Sequence, residues 1–262
     1  MEYPSEGFDY YKSIGVNKVV YEQKHMGSRA IVIVAKNEEV VKRVFGIENE
    51  GIGSVYTRTG RAYFNDKTME KQFMEKVNQA LQSSGFYDKF KTDWVCLDTE
   101  LMPWNAKAQA LLESQYASVG TAANHALNET INVLEQASVN NPALTELLER
   151  QLIRKKQVEN YVKAYGEYCW PVNTLKDYKL APFHILATED KVWTDKNHEW
   201  HMENIKSICL EDPALFLSTN YKIIDLNDEA ATKEACEWWL TLTENGGEGM
   251  VIKPYNYIQK DP

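Results

Sequence analysis

The chain has 262 residues, 44% of them hydrophobic and 26% charged, with a formal net charge of −9 at pH 7. That length can bury a sizeable core and suits one large domain or a domain carrying an insertion. The acidic balance argues against a protein that coats nucleic acid indiscriminately, although a local basic groove can coexist with it.

No window approaches eighteen unbroken apolar residues. The opening MEYPSEGFDYYK lacks the basic and then apolar pattern of a secretory signal, so the expectation is a cytoplasmic protein with no membrane span. Cys96, Cys169, Cys209 and Cys236 show no CxxC spacing, which predicts buried, inert thiols rather than a disulfide framework.

In chain order, Lys18 to Lys24 and Arg29 to Ala35 read as two strands rich in Val and Ile, joined by a tight turn at Gly27. A helix from Asn37 to Phe45 ends at Gly46, and a short strand, Ser54 to Arg58, leads to a turn at Thr59-Gly60. Asn65 or Asp66 can cap the next helix, where Met69, Phe73, Val77 and Leu81 recur at helical spacing before Gly85. Trp94 to Leu101, WVCLDTEL, reads as a strand that delivers Asp98 and Glu100 to its end. From Pro103 to Tyr168 the pattern becomes almost wholly helical, broken at Asn140-Asn141-Pro142. LAPFHILATE and NYKIIDL return as strands, and a helix capped at Asn227 or Asp228 and at Gly246-Gly247 leads into a last strand, EGMVIKP.

The chemistry centres on Lys24, in YEQKHMGSRA. An ammonium is a poor nucleophile near neutrality because its ordinary pKa is about 10.4, so a reactive lysine needs burial, cations or a metal around it. K-x-x-G alone says little. Glu248 and Lys253 lie five apart, which puts them on opposite faces of an extended strand unless a bulge or turn intervenes.

Lys24-His25-Met26-Gly27, Asp98-Thr99-Glu100 and Glu248-Gly249-Met250-Val251-Ile252-Lys253, in that order, resemble the motifs of covalent nucleotidyltransferases, the superfamily of ATP-dependent ligases and capping enzymes. EQKHMGSRA, YTRTGRAYF, DTELMPWNAK with a helical insertion behind it, and EGMVIKP narrow this. Together they look like the ligase domain of the bacterial RNA-repair polynucleotide kinase, phosphatase and ligase.

The resemblance implies an α+β nucleotidyltransferase core, residues 1–103 and 171–262, with mostly antiparallel sheets, flanking helices and an inserted helical module at 104–170. It implies ATP and Mg²⁺ or Mn²⁺ as cofactors and an RNA with 5′-phosphate and 3′-OH ends as substrate. Lys24 would form lysyl-AMP, Lys253 would contact the α-phosphate and Glu248 would help hold the metal. Glu22 would read the adenine amino group, Arg29 the sugar or phosphate, and Glu100 the ribose. Phe183 would stack on adenine with Val251 on its other face, and Arg61 would approach the nucleotide or nucleic acid. Without the motif set, Glu22, Arg29 and Arg61 read as solvated surface residues and Phe183 as core.

The family places paired lysines shortly after EGMVIKP. Here only Lys260 follows, so the chain is expected to be truncated at its C-terminus, without the kinase and phosphatase domains of the same polypeptide. An RNA-repair methyltransferase is the expected protein partner. A GTP-dependent capping-type transferase and a non-catalytic ATP-binding docking module remain alternatives. His198 and His201 in NHEWHMENI have the wrong spacing for a zincin and read as helix-surface residues. Arg150, Arg154, Lys155, Lys156 and Lys163 could track RNA, dock a partner, or form a solvated face.

Overall fold

A computed structural model describes residues 3–107 and 118–259. Two compact units emerge, Met1–Pro103 with Val172–Pro262, and Trp104–Pro171. In chain order the elements are α1 (Pro4–Ser13), β1 (Lys18–Gln23), β2 (Ser28–Ala35), α2 (Glu38–Phe45), β3 (Gly53–Thr57), α3 (Lys67–Ser83), α4 (Phe86–Phe90) and β4 (Trp94–Met102). Then come α5 (Ser118–Ser138), α6 (Thr145–Tyr168), β5 (Lys179–Thr188), β6 (Lys191–Val192), α7 (His198–Glu211), β7 (Tyr221–Asp225), α8 (Glu229–Glu244) and β8 (Met250–Pro254).

Local chemistry sets most of these ends. The Asn37 side chain accepts from the Val40 N–H and so caps α2, whose far end is turned by Gly46 at φ 69°. Asp66, not Asn65, caps α3, and Asp228 caps α8. No helix among the described residues is long and apolar enough to cross a membrane. The helix α1, which composition alone did not suggest, packs its buried Phe8 against Tyr21 and the inner face of α8.

The first unit holds two antiparallel sheets, of order β7-β1-β8 and β3-β2-β4-β5-β6. The strands expected on either side of Gly27 therefore do not pair with one another; the chain crosses from one sheet to the other between Lys24 and Gly27. Alternation along β1 then divides its side chains. Val19 and Tyr21, fully buried, face a core with Phe8, Ile224, Leu226 and Ala235, against which Met250 and Ile252 also pack. Each such fully buried apolar side chain stabilises the fold by about 1.5–3 kcal/mol. The opposite face presents Val20 and Glu22, with Val251 and Lys253 beside them on β8.

The larger sheet obeys the same rule. Ala30, Val32 and Val34 of β2 are buried, as are Phe73, Val77 and Leu81 of α3 at the spacing read from the sequence. The other face of β2 and β4 carries Arg29 opposite Glu100, and Asp98 opposite His184 of β5. The pairing of Asp98 with His184 and of Thr99 with Pro182 skips Phe183, so that ring sits at a bulge, which re-aims its side chain.

In the second unit, α5 and α6 are joined through a turn whose Asn141 side chain accepts from the Ala143 N–H, with Pro142 following. The start of α5 meets the end of α6. A Cβ at Gly120 would lie 2.7 Å from Val162 Cγ2, so a larger residue there would require that valine to shift. Arg150, Arg154, Lys156 and Lys163 are exposed and Lys155 is half-buried, with Lys156 3.8 Å from Glu159. The insertion's residues 108–117, and Lys260, lie outside the described residues.

The four thiols form no disulfide. Only Cys209 is buried, and the other three are half-buried, less than expected. Burial pushes Cys209 up to about 12 and Cys96 up to about 11, which keeps both protonated and unreactive.

Candidate functional site

Past the end of β1 the ladder with β8 continues for one more residue, the Lys24 N–H donating to the Gly249 carbonyl at 3.0 Å. Lys24 thereby keeps the alternation of Glu22 and points to the same side. Gly249 has φ +139°, a conformation that L side chains rarely adopt, and it bends the chain immediately before β8. That bend brings Glu248 to Lys24, where carboxylate and ammonium form a direct ion pair. Val251 and Lys253 meanwhile face the side of Glu22, so the turn resolves the facing problem that a five-residue spacing poses.

A cavity of about 270 Å³ opens there, lined by Glu22, Lys24, His25, Arg29, Asp98, Glu100, Phe183, His184, Val251 and Lys253. Both sheets contribute, the first through β1 and β8 and the second through β2, β4 and β5. Seven of the nine residues proposed from sequence line it, and Glu248 joins them through Lys24. Arg61 is not among the lining residues; it is an exposed turn residue whose N–H donates to Thr57 Oγ1 at 3.2 Å.

Internal pairs hold the site's charges. Glu22, at 2% exposure, forms an ion pair with Lys253, and the Lys253 ammonium also lies 5.1 Å from the Phe183 ring centre. Arg29 grips Asp98 with two bonds, Nε to Oδ1 at 2.8 Å and Nη2 to Oδ2 at 2.7 Å. Phe183 lies nearly parallel to the His25 ring, 23° between planes and 6.3 Å between centres.

Burial raises the Glu100 carboxyl to about 7; the charges of Glu248 and Asp98 push the same way, while a backbone hydrogen bond from Gly27 and the charge of Lys24 oppose. Burial also lowers His25 to about 4, so its ring is neutral, and its Nε2 lies 2.9 Å from Thr219 Oγ1. Gly27 cannot be larger, because a Cβ there would lie 2.7 Å from the Leu101 carbonyl and 2.8 Å from Glu100 Cγ.

The reading of His198 and His201 as helix-surface residues is overturned. They are 6% and 1% exposed and face β5. His198 Nδ1 lies 2.7 Å from His184 Nε2, and His201 Nδ1 accepts from the Ile185 N–H at 3.2 Å. Helical spacing carried the signal: His198, His201, Met202, Ile205 and Ile208 fall on one buried face of α7. Burial, followed by their like-charged neighbours, lowers His198 to about 3 and His201 to about 4. Of the other members of this network, His184 was not singled out from sequence, and Asp98, quoted in the Asp98-Thr99-Glu100 motif, was given no role there.

No group of three or more His, Cys, Asp or Glu among the described residues could hold a metal by itself. A cation carried in with phosphates needs only one or two carboxylates from the protein. Glu248 Oε2 fits that need, being buried and without a hydrogen-bond partner among the described residues.

Comparison with curated protein sequences returns no match. Among solved structures, one of a Pnkp1/Rnl/Hen1 complex is similar at a TM-score of 0.61 and 18% identity, covering 97% of this chain and 67% of that one. A second, of the Pnkp1/Rnl/Hen1 RNA repair complex, gives 0.58 and 17%, with the same coverage. A structure of Pmar-Lig_PreS3 gives 0.51 and 14%, covering 95% of this chain and 41% of that one. At these identities the likeness is one of fold, and it agrees with the mixed helix and antiparallel-strand architecture read from the sequence. A family model described as the PNKP adenylyltransferase domain, ligase domain, matches residues 1–262, and the chain belongs to that family.

Proposed function

We propose that this chain is the adenylyltransferase part of an ATP-dependent RNA ligase acting in RNA repair through a lysyl-AMP formed at Lys24. The observation that carries this reading is the place of Lys24, at the wall of a cavity built from both sheets, with its Nζ against Glu248 and with Arg29 and Lys253 on the same cavity.

In the first step the Lys24 amine attacks the α-phosphorus of ATP. A P–N bond forms, the bond to the β-phosphate oxygen breaks, and pyrophosphate leaves. The ammonium proton leaves to solvent, which reaches the half-exposed Lys24 side chain, so Glu248 keeps the charge with which it pairs with Nζ. In the second step an oxygen of the RNA 5′-phosphate attacks the adenylate phosphorus, breaking the P–N bond and freeing Lys24. In the third, the 3′-OH attacks the 5′-phosphorus and expels AMP.

Phosphoryl transfer is catalysed mainly by positioning and charge neutralisation, which suits a cavity holding lysines and arginine. Lys253 is assigned to the α-phosphate, Arg29 to sugar or phosphate, Glu100 to the ribose, and Glu22 to the adenine amino group. Entry of the nucleotide exchanges the internal Glu22–Lys253 pair for contacts to adenine and phosphate. Phe183 and Val251 are assigned to the two faces of the base. Glu248, through Oε2, is the group that would hold Mg²⁺ or Mn²⁺, which when bound neutralises phosphate charge. The fold likeness to chains in a Pnkp1/Rnl/Hen1 complex supports a protein partner, which we assign as an RNA-repair methyltransferase. Kinase and phosphatase domains of the same polypeptide are assigned as further partners on the motif resemblance alone.

The test is covalent labelling with α-labelled ATP and a divalent metal, followed by denaturation. Label on the wild type that survives denaturation and is lost in Lys24→Met is the expected result. No label on this chain, nor on a longer one extended past Pro262, would leave nucleotide binding without transfer and sink the ligase reading. Competition by unlabelled GTP at the same concentration as ATP would instead favour a capping-type transferase.

A further inference from the structure

Behind Arg29 lies a buried chain of polar side chains that no step above uses. Asp98, 3% exposed, takes both Arg29 bonds and also faces His184 Nδ1 at 3.3 Å. His184 Nε2 continues to His198 Nδ1 at 2.7 Å. The proton positions follow from the order of the groups. Asp98 is held ionised and can only accept, so His184 carries its proton on Nδ1. Its Nε2 must then accept, which makes His198 Nδ1 the donor. Donation thus converges on Asp98, from His198 through His184 on one side and from Arg29 on the other.

Its two ends are anchored on different elements. His198 opens α7, and its backbone N–H donates to the Tyr255 carbonyl at 3.1 Å, two residues beyond Lys253. Asp98 and His184 belong to adjacent strands of the larger sheet. The Tyr257 ring packs edge-on against His184, with centres 4.9 Å apart, and closes the network. The relay therefore ties the sheet that bears Arg29 to the segment that follows Lys253. An exposed arginine, its side chain 50% accessible, is held at one orientation from behind.

We propose that His184 and His198 are positioning residues for the nucleotide, acting through Asp98 to fix the Arg29 guanidinium at the cavity. This rests on the reading that Arg29 meets ATP. Two of the five Arg29 N–H donors are given to Asp98, which leaves Nη1 outside the pair. A guanidinium so oriented binds phosphate or ribose without first losing its rotational freedom.

The experiment uses the whole chain and compares wild type, His198→Leu, His198→Asn and Arg29→Ala. Asn supplies an N–H near the place of Nδ1, whereas Leu supplies none. Two readouts are taken: the ATP dependence of Lys24 labelling, and the ¹⁵N signal of the Arg29 Nε–H in the absence of ligand, with a thermal melt of each variant as a check on folding. In His198→Leu the ATP concentration for half-maximal labelling is expected to rise about ten-fold while the maximal rate changes less than about three-fold. The Arg29 Nε–H signal is expected to broaden or vanish, and His198→Asn to restore both. His198→Leu placed on Arg29→Ala should add nothing further, since both changes act through one group.

An unchanged Arg29 signal in His198→Leu, or effects that multiply in the double variant, would overturn the proposal. Should His198→Leu fail to fold, His198→Gln, whose amide cannot replace Nδ1, gives the same two readouts. If the wild type shows no saturable dependence on ATP while its Arg29 signal still depends on His198, the ligase reading fails and the nucleotide role falls with it. A wild type that saturates with ATP but keeps its affinity in His198→Leu refutes the positioning role alone.

Discussion

Glu22 and Lys253 meet as an ion pair on the cavity face of the smaller sheet, one side chain 3% exposed and the other 23%. The two residues are paired unequally with solvent. Removing Lys253 strands a carboxylate with almost no access to water, whereas removing Glu22 leaves an ammonium that can still reach it.

Lys253→Met is accordingly expected to cost about 3 kcal/mol of stability and Glu22→Gln about 1 kcal/mol, the difference reflecting the desolvated anion. Urea unfolding of the two variants measures both. Equal losses would mean that the cavity is wetter than its geometry indicates.

Gly27→Ala is expected to destabilise the chain by about 2 kcal/mol, through overpacking against the Leu101 carbonyl and Glu100 Cγ. The same change displaces Glu100 and the turn behind Lys24, so labelling should fall at least about ten-fold. A variant as stable and as active as wild type would show that the crossing between the sheets is loosely packed.

Stability should fall in mild acid. His25, His198 and His201 are lowered by burial to about 4, 3 and 4, so below pH 6.5 the unfolded chain binds more protons than the folded one at these sites. Their contribution is complete above that pH and is lost as pH falls toward 4. Glu100, raised to about 7, works the other way, gaining stability as pH falls from 7 toward 4.5. Three histidines outweigh one carboxyl, and a net loss of about 5 kcal/mol between pH 7 and 4 is expected. Thermal melts across that range check it, and Glu100→Gln should steepen the loss. A flat profile would mean that the histidines reach water.

Phe183→Leu keeps an apolar side chain at the bulge but removes the aromatic face. If adenine stacks there, half-maximal labelling should need about ten-fold more ATP, in line with about 1–3 kcal/mol for stacking a base on an aromatic ring. The titration of label against ATP reads this directly. No change would return Phe183 to a packing role against His25.

Arg61→Ala should leave lysine labelling within about two-fold of wild type, since the residue is exposed and outside the cavity. A larger defect in labelling would show that the turn after β3 folds over bound nucleotide. A defect confined to the sealing of RNA would assign Arg61 to the nucleic acid.

Much of the architecture is legible in the sequence. The helix from about Asn37, the caps narrowed to Asn65 or Asp66 and to Asn227 or Asp228, and the apolar spacing along α3 are local effects, decided within a few residues, and the helices formed there, capped by Asn37, Asp66 and Asp228. Lys24, Glu100, Glu248 and Lys253 were picked out by resemblance to the motifs of covalent nucleotidyltransferases, and the fold brings them together around one cavity. Contacts across long stretches of sequence were not legible. That β1 and β2 enter different sheets depends on which partners β7 and β8 offer, some 200 residues later. The pairing of Asp98 with Arg29 and His184, and the burial of His198, depend on a bulge in β5 and on the docking of α7. The sequence by itself determined the helix ends, the strand alternation and the chemical groups available. Only the tertiary structure decided which charges face one another, because an ion pair or a buried imidazole exists only where separate elements meet out of water.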